Sequence, residues 1–318
     1  MVSKAPIYFY YPNPIPENID FKSGLDCWIL KTYQILKKAT SELTIHLVDT
    51  VPDSGIVIFH KGFFPSAIVP NASQLFVCVQ ADYGRYRFAQ CHIAQNPYGV
   101  SNVRFSRRSF FEENLFSFSK NFFIPHWNQE SIIKRNVERK NEFQNVCFYG
   151  VPQNFPKELA GPNFKEKLKS EGIELHIITD SEKWNDYSET DCVLAIRDFS
   201  GKPHYNKPFS KIINAYAAGV PVISAKESSA IFLKNEKGLQ FPIVNSAEEC
   251  FNEILNLRDD YEKKIQLVLE KNKTLAIFHD EQIVLDWIAF LMNIQLVYLD
   301  WQRSPRYIKK LFYTIRKA

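Results

Sequence analysis

A chain of 318 residues is long enough to form two α/β domains of ordinary size. Its 45% hydrophobic and 23% charged residues exclude a disordered polymer and describe a globular protein. The net charge is +4, and Trp301–Ala318 holds six Lys or Arg and no acid. The rest of the chain therefore sums to about −2, which speaks against nucleic-acid binding.

In chain order, Pro6 to Tyr11 (PIYFYY) reads as a first strand. A loop with three prolines leads to a helix over Leu25 to Lys38, with Leu25, Trp28, Ile29, Tyr33 and Leu36 at helical spacing. Gly24 and Asp26 stand at its start, after a strand end, where they either cap the helix with Ser23 or meet a ligand. Leu43 to Asp49, Gly55 to His60 and Leu75 to Gln80 are the next strands. The run that follows, ADYGRYRFAQCHIAQNPYGVS, brings together Asp82, Arg85, Arg87, His92, Gln95 and Asn96. His92 falls in a strand, where a lone histidine is usually a hydrogen-bonded core residue. Asp82 follows a strand and precedes Gly84, a better position for a base.

Phe122 to Pro125 closes the first half, and the polar segment 126–144 reads as an interdomain linker. Asn145 to Gly150 is a strand ending in glycine, Phe164 to Glu171 a helix, and Ile173 to Ile178 a strand. The segment Asp191 to Ala225 then reads strand, loop, helix, strand: an apolar run over Cys192 to Ile196, a loop with Gly201 and Pro203, a helix from Pro208 to Gly219, and a strand over Val220 to Ser224. Lys207 and Lys211 are spaced to share a helix face near its amino terminus, with Ser210 beside them and Arg197 entering from the strand. Cations at the end of a helix that already favours anions point to a phosphate-bearing ligand rather than a solvated basic face. Beyond Ser224, a short helix around Ile231 and Leu233, a strand over Gln240 to Val244, and helices over Ala247 to Ala276 and Glu281 to Leu299 follow. A basic amphipathic segment broken at Pro305 ends the chain; it either packs on one face or lies on an anionic membrane.

The six cysteines stand singly at 27, 78, 91, 147, 192 and 250, which fits neither a disulfide framework nor a zinc site and predicts a reducing, cytoplasmic setting. No signal peptide is expected, and the longest apolar stretch, near Trp287 to Met292, is too short to span a bilayer.

The run KPFSKIINAYAAGVPVI resembles the donor-binding helix and following strand of GT-B glycosyltransferases, most closely bacterial enzymes with a Lys-Pro-x-x-Lys start. The acidic residue after a strand and the His-x-x-Gln-Asn run over His92 to Asn96 recur in the same enzymes. The resemblance implies α/β architecture with two Rossmann-like doubly wound domains facing a cleft: an acceptor domain over 1–125, a linker over 126–144, a donor domain over 145–284, and a last helix, 285–318, returning to the first. It implies transfer of a sugar from a nucleotide-diphosphate sugar to a saccharide or lipid-linked acceptor, with no cofactor or essential metal; no DxD triplet occurs. It implies donor contacts from Arg197, Lys207, Ser210, Lys211, Asn214 and Gly150, an acceptor-side base at Asp82 or Asp26, and acceptor or cleft contacts from Gly24, Arg85, His92 and Asn96. Retaining members carry glutamates where this chain has Asn206 and Asn214, which tilts the expectation towards inversion. Two other classes fit the same residues: a non-catalytic nucleotide-sugar or phosphate-binding protein, and an assembly protein peripheral to the inner face of a membrane through residues 301–318.

Overall fold

Parallel strands need long crossovers and covering helices, and the alternation of short apolar runs with helical segments supplies both. The computed structural model describes residues 4–15, 23–101, 113–276 and 279–317. Among these, β1 (Ile7–Tyr10), β2 (Ile45–Val48), β3 (Gly55–His60), β4 (Gln74–Val79), β5 (Cys91–Ala94) and β6 (Lys120–Phe123) form one sheet, in the order β2-β1-β3-β4-β5-β6. A second sheet comprises β7 (Asn145–Tyr149), β8 (Glu174–Ile178), β9 (Cys192–Ala195), β10 (Val222–Ala225) and β11 (Ile243–Val244), in the order β11-β10-β9-β7-β8. Every neighbouring pair in both sheets is parallel. In each sheet the chain starts in the interior, adds a strand on one side and then crosses to the other. The order reverses between β1 and β3, and again between β7 and β9.

Among the described residues, the helices of eight residues or more are α1, which opens as a π-helical segment, Asp26–Lys31, and continues as Thr32–Ala39; α2 (Pro162–Ser170); α3 (Ser210–Ala217); α4 (Ser228–Lys237); α5 (Ala247–Asp259); α6 (Tyr261–Thr274); α7 (Asp280–Arg303); and α8 (Arg306–Lys317). Where one helical stretch is expected over 247–276, the chain breaks at Asp260, whose backbone leaves the helical region at φ −123° and ψ 30°. Pro305 separates α7 from α8. Helix α3 ends in a Schellman turn: Gly219, at φ 78°, donates to Tyr216 O and Val220 to Ala215 O.

Two units emerge from the contacts. The first holds the described residues of Met1–Trp127, Asn206–Pro208 and Asp280–Ala318; the second holds Asn128–Tyr205 and Phe209–His279. From Asn128 on, the stretch expected as a linker is part of the second unit, because Arg135 and Arg139 both bind the buried Asp191.

In the first unit, successive residues of β3 and β4 point to opposite faces, and both faces are dry. Ile56, Ile58, Leu75 and Val77 pack with Trp28, Trp287, Leu291 and Trp301. Val57, Phe59, Phe76 and Cys78 pack with Tyr10, Phe64, Tyr86 and Phe88 on the other side. This two-sided burial explains why these strands read as unbroken apolar runs rather than alternating ones. Helix α7 is long and apolar enough to cross a bilayer by length and composition, beyond the short stretch expected from the sequence. Its Trp287, Phe290, Leu291, Ile294 and Trp301 are nevertheless core residues of the first unit. Helix α8 packs on the same core through the fully buried Phe312, and the buried Arg316 donates to Ala89 O.

Candidate functional site

Open parallel sheets bind ligands at the carboxyl ends of the strands where the order reverses. In the second unit that point lies at the ends of β7 and β9. The loop after β7 begins with Gly150, at φ 144°, a conformation that side chains avoid. Its missing side chain also leaves room for a neighbour, since a Cβ there would lie 3.2 Å from Lys211 Nζ. The ammonium of Lys211 in turn sits 3.8 Å from the centroid of the Phe148 ring. Gly150 and Lys211 are thus brought together at the reversal point, with Ser210 beginning α3 next to them.

Arg197, just beyond β9, turns to Glu227, just beyond β10, and forms an ion pair with it. Glu227 is 3% exposed, and its second carboxylate oxygen, Oε1, is buried with no hydrogen-bond partner. Before α3, the loop is folded by Asp198, which accepts from the Ser200 backbone N–H at 2.9 Å and from His204 Nε2 at 3.0 Å. Burial alone would raise the Asp198 pKa, but these hydrogen bonds, with that of the Ser200 hydroxyl, leave it lowered.

Lys207 departs from expectation. Helix α3 starts at Ser210, with Phe209 as its cap, so Lys207 lies outside the helix and does not share a face with Lys211. The segment Asn206–Pro208 belongs to the first unit. Lys207 Nζ lies 3.0 Å from Asp82 Oδ2, Asn206 Nδ2 donates to Asp82 O at 2.8 Å, and Asn96 Nδ2 donates to Lys207 O at 3.1 Å. Gln95 Nε2 completes the group by donating to Asp82 Oδ1 at 2.8 Å. The preceding Ala81 is held at φ 48°. Asp82, Asn96 and Lys207 therefore form one polar cluster at the carboxyl ends of β4 and β5. Asn214 is engaged within the second unit: its side-chain amide donates to Gln129.

The reversal point of the first sheet carries a second group. Tyr11, after β1, donates its hydroxyl to Asp26 Oδ1 at 2.7 Å, and Ser23 Oγ donates to Asp26 Oδ2 at 2.5 Å. Burial first, and then the Asp26 carboxylate, push the Tyr11 phenol up to about 12. Asp26 opens a π-helical segment, a distortion that often accompanies functional sites. His60, the last residue of β3, is 3% exposed and accepts the Gly62 N–H on Nδ1 at 3.1 Å, which leaves the proton of the neutral ring on Nε2. That Nε2 faces Gly24, where a Cβ would come within 3.3 Å of it. Burial, opposed by the Asp82 charge, lowers the His60 pKa to about 4.

His92 is a core residue, with the half-buried Arg85 as its hydrogen-bond partner. His92 is fully buried; its Nε2–H donates to Tyr86 O and its Nδ1 accepts from Arg85 Nη2, each at 3.1 Å. Both ring nitrogens are occupied, so His92 has no polar atom left for a cleft. Burial, Arg85 and Arg316 hold its pKa well below the ordinary value.

His60 and Glu227 are the residues that sequence reasoning missed. Each is a charged or polar residue at or shortly after the carboxyl end of an apolar strand, so the reasoning that singled out Arg197, applied to every strand, would have drawn attention to both.

No protein-family model matches the chain, and no curated protein sequence does. Among solved structures, it is similar to HepE of Anabaena in complex with UDP, at 12% identity over 92% of this chain and 100% of that one, with a TM-score of 0.51. HepE in complex with UDP and glucose gives 12% identity over 91% and 99%, with a TM-score of 0.50. AviGT4, a glycosyltransferase involved in avilamycin A biosynthesis, is also similar, at 9% identity over 92% and 98%, with a TM-score of 0.48. The likeness to HepE is one of fold: two Rossmann-like α/β units, each on a parallel sheet.

Proposed function

We propose that the protein is a glycosyltransferase, which moves a sugar from a nucleotide-diphosphate sugar to a saccharide or lipid-linked acceptor during synthesis of a surface polysaccharide or glycoconjugate. The observation that carries this reading is Lys211. Its ammonium is held at the strand-order reversal of the second sheet by the Phe148 ring, over a glycine that makes room for it. A cation fixed beside the first turn of a helix, at the end of a parallel sheet, is suited to a diphosphate. In glycosyl transfer the diphosphate gains negative charge as its bond to the anomeric carbon breaks, and Lys211 with the start of α3 stabilises that charge without requiring a metal.

In this reading the first unit receives the acceptor. Asp82 takes the proton of the acceptor hydroxyl as that oxygen attacks the anomeric carbon from the face opposite the departing diphosphate, with inversion. Lys207 and Gln95 hold the carboxylate in place. Asp26, bound by Tyr11 and Ser23, is the second choice of base. The outward face of α8, with Arg306, Tyr307, Lys310 and Leu311 exposed, provides peripheral contact with an anionic membrane on the cytoplasmic side. Pelleting with anionic liposomes, compared between the wild type and an Arg306→Glu/Lys310→Glu variant, tests that contact.

The likeness to a UDP-bound protein makes UDP the first ligand to try. Calorimetric titration of UDP and UDP-glucose should give saturable binding, and Lys211→Met should weaken it about 10- to 100-fold, the effect of one charge-assisted contact. Undiminished affinity in Lys211→Met would return the lysine to a packing role. A second reading, a binding protein without catalysis, draws on Asp82: both of its carboxylate oxygens are already engaged. Asp82→Asn separates the two readings. A base lost should slow sugar transfer about 10²- to 10⁴-fold with donor affinity retained; a donor bound but never turned over, with any acceptor, would favour the binder.

A further inference from the structure

Buried polar groups in folded proteins are almost always hydrogen-bonded, so one that is not asks for an explanation. Among the described residues, Glu227 Oε1 is the one carboxylate oxygen that is buried and unpartnered. Glu227 lies at the carboxyl end of the second sheet, one residue beyond β10 after Lys226 and directly before α4. Its other oxygen is fixed by Arg197, which comes from the end of β9. The ion pair thus sets the orientation of the carboxylate and leaves one strong acceptor unused. Ser228 and Ser229, each 3% exposed, follow it into the helix.

An anionic acceptor of this kind repels a phosphate and attracts a donor, such as a hydroxyl. Building on the donor reading above, we propose that Glu227, positioned by Arg197, is a ligand-binding residue whose Oε1 accepts a hydrogen bond from a sugar hydroxyl of the bound nucleotide sugar. Within that molecule the hydroxyl belongs either to the ribose or to the transferred hexose; the chemistry of the contact is the same. Arg197 consequently serves the site through Glu227 and orients it, and does not itself hold phosphate. The loop 198–205 is tied to the start of α4 by one backbone bond, from Ser228 N–H to Pro203 O at 2.8 Å.

The test compares wild type with Glu227→Gln in calorimetric titrations of UDP, ADP and GDP and of the conjugates UDP-glucose, ADP-glucose and GDP-mannose, alongside thermal melts of the ligand-free proteins. Glu227→Gln keeps the shape and removes the charge. It should bind about 10- to 100-fold more weakly while remaining folded, because its amide oxygen can still accept from Arg197. Loss towards nucleoside diphosphates and conjugates alike assigns the contact to the ribose; loss towards the conjugates alone assigns it to the hexose. Should Glu227→Gln fail to fold, Glu227→Asp, which keeps the charge and withdraws it by one methylene, carries the same comparison. Equal binding by variant and wild type, or a lowered melting point with unchanged affinity, would make the pair purely structural and overturn the proposal. If the wild type itself binds none of the six compounds, the donor reading fails, and this inference with it.

Discussion

The second unit buries two carboxylates, one at each end of its sheet, and they are treated in opposite ways. Asp191 precedes β9 at the amino end and is fully buried. It accepts from Arg135 Nε and Nη2 at 3.0 and 2.8 Å, from Arg139 Nε and Nη2 at 3.2 and 2.8 Å, and from the backbone N–H groups of Gln144 and Asn145, both at 2.9 Å. Burial alone would raise its pKa, but these six bonds overcome that and hold it lowered. Glu227, equally removed from water at the carboxyl end, has Arg197 on one oxygen and nothing on the other. Charge and burial are alike; satisfaction is not. The amino end of the sheet uses its acid to bind the chain to itself. The carboxyl end keeps an acceptor in reserve, which is where a doubly wound sheet places its chemistry.

The largest expected effect falls on the satisfied acid. Asp191→Ala strips Arg135 of its anion, leaves Arg139 with only the exposed Glu189 and Glu142, and leaves two backbone N–H groups unpaired. It should cost about 3–5 kcal/mol of unfolding free energy, the usual result of breaking a buried pair by removing one partner. Glu227→Gln, whose amide oxygen can still accept from Arg197 and which leaves no backbone N–H unpaired, should cost less in denaturant unfolding than Asp191→Ala. If Asp191→Ala unfolds at the wild-type midpoint, the distinction between the two ends of the sheet collapses.

Acid sharpens the comparison, because carboxylates and imidazoles titrate in separate windows. The native state keeps His60 neutral down to about pH 4, whereas the unfolded chain takes up the proton near 6.5. Lowering the pH from 6.5 to 4 therefore favours the unfolded state, by about 3 kcal/mol when titration is complete. His92 and His126, whose pKa values burial also lowers, act in the same direction. The stabilisation from Asp191 has the opposite dependence: it is present above 3.8 and lost only as pH falls through its lowered native value. Stability measured from pH 7 to 4 should fall with the histidines alone, and His60→Asn, which can still accept the Gly62 N–H, should flatten the curve. A profile level down to pH 4 in the wild type would contradict a neutral, buried His60.

These contrasts also mark what was legible in the sequence. Apolar runs such as GIVIFH and QLFVCV announce strands buried on both faces, and the Gly219 turn announces the end of α3, because both depend on local chemistry. The grouping of Gly150 with Lys211 was implied by the resemblance, and the two do meet at the end of β7. What stayed hidden depends on contacts distant in the chain. Arg135 and Arg139 read as part of a polar linker because their partner, Asp191, lies more than fifty residues away. Lys207 looked like a helical neighbour of Lys211 because spacing alone does not reveal that α3 starts after it, with residues 206–208 bound by Asp82, Gln95 and Asn96. The amphipathic end of the chain offered packing of one face, as Phe312 does, but gave no sign that a charged residue, Arg316, would be buried with it.

The smallest expected effect concerns a third carboxylate, which tests whether burial or position decides what an acid does. Asp82 lies at a carboxyl strand end, as Glu227 does, and has both oxygens engaged, as Asp191 does. It differs from both in exposure: its side chain is 53% exposed and that of Lys207 26%. Water already solvates these charges, so the pair forms at little gain, and exposed pairs typically contribute about 0–1 kcal/mol. Lys207→Ala should therefore shift the unfolding free energy by less than about 1 kcal/mol, and added salt should erase most of what remains. A loss near that of Asp191→Ala would mean that the Asp82–Lys207 contact holds the fold together and is no functional site. A negligible loss leaves Asp82 as an acid fixed in place at almost no structural cost, so that any fall in sugar transfer in Asp82→Asn would report on its chemistry and not on its packing.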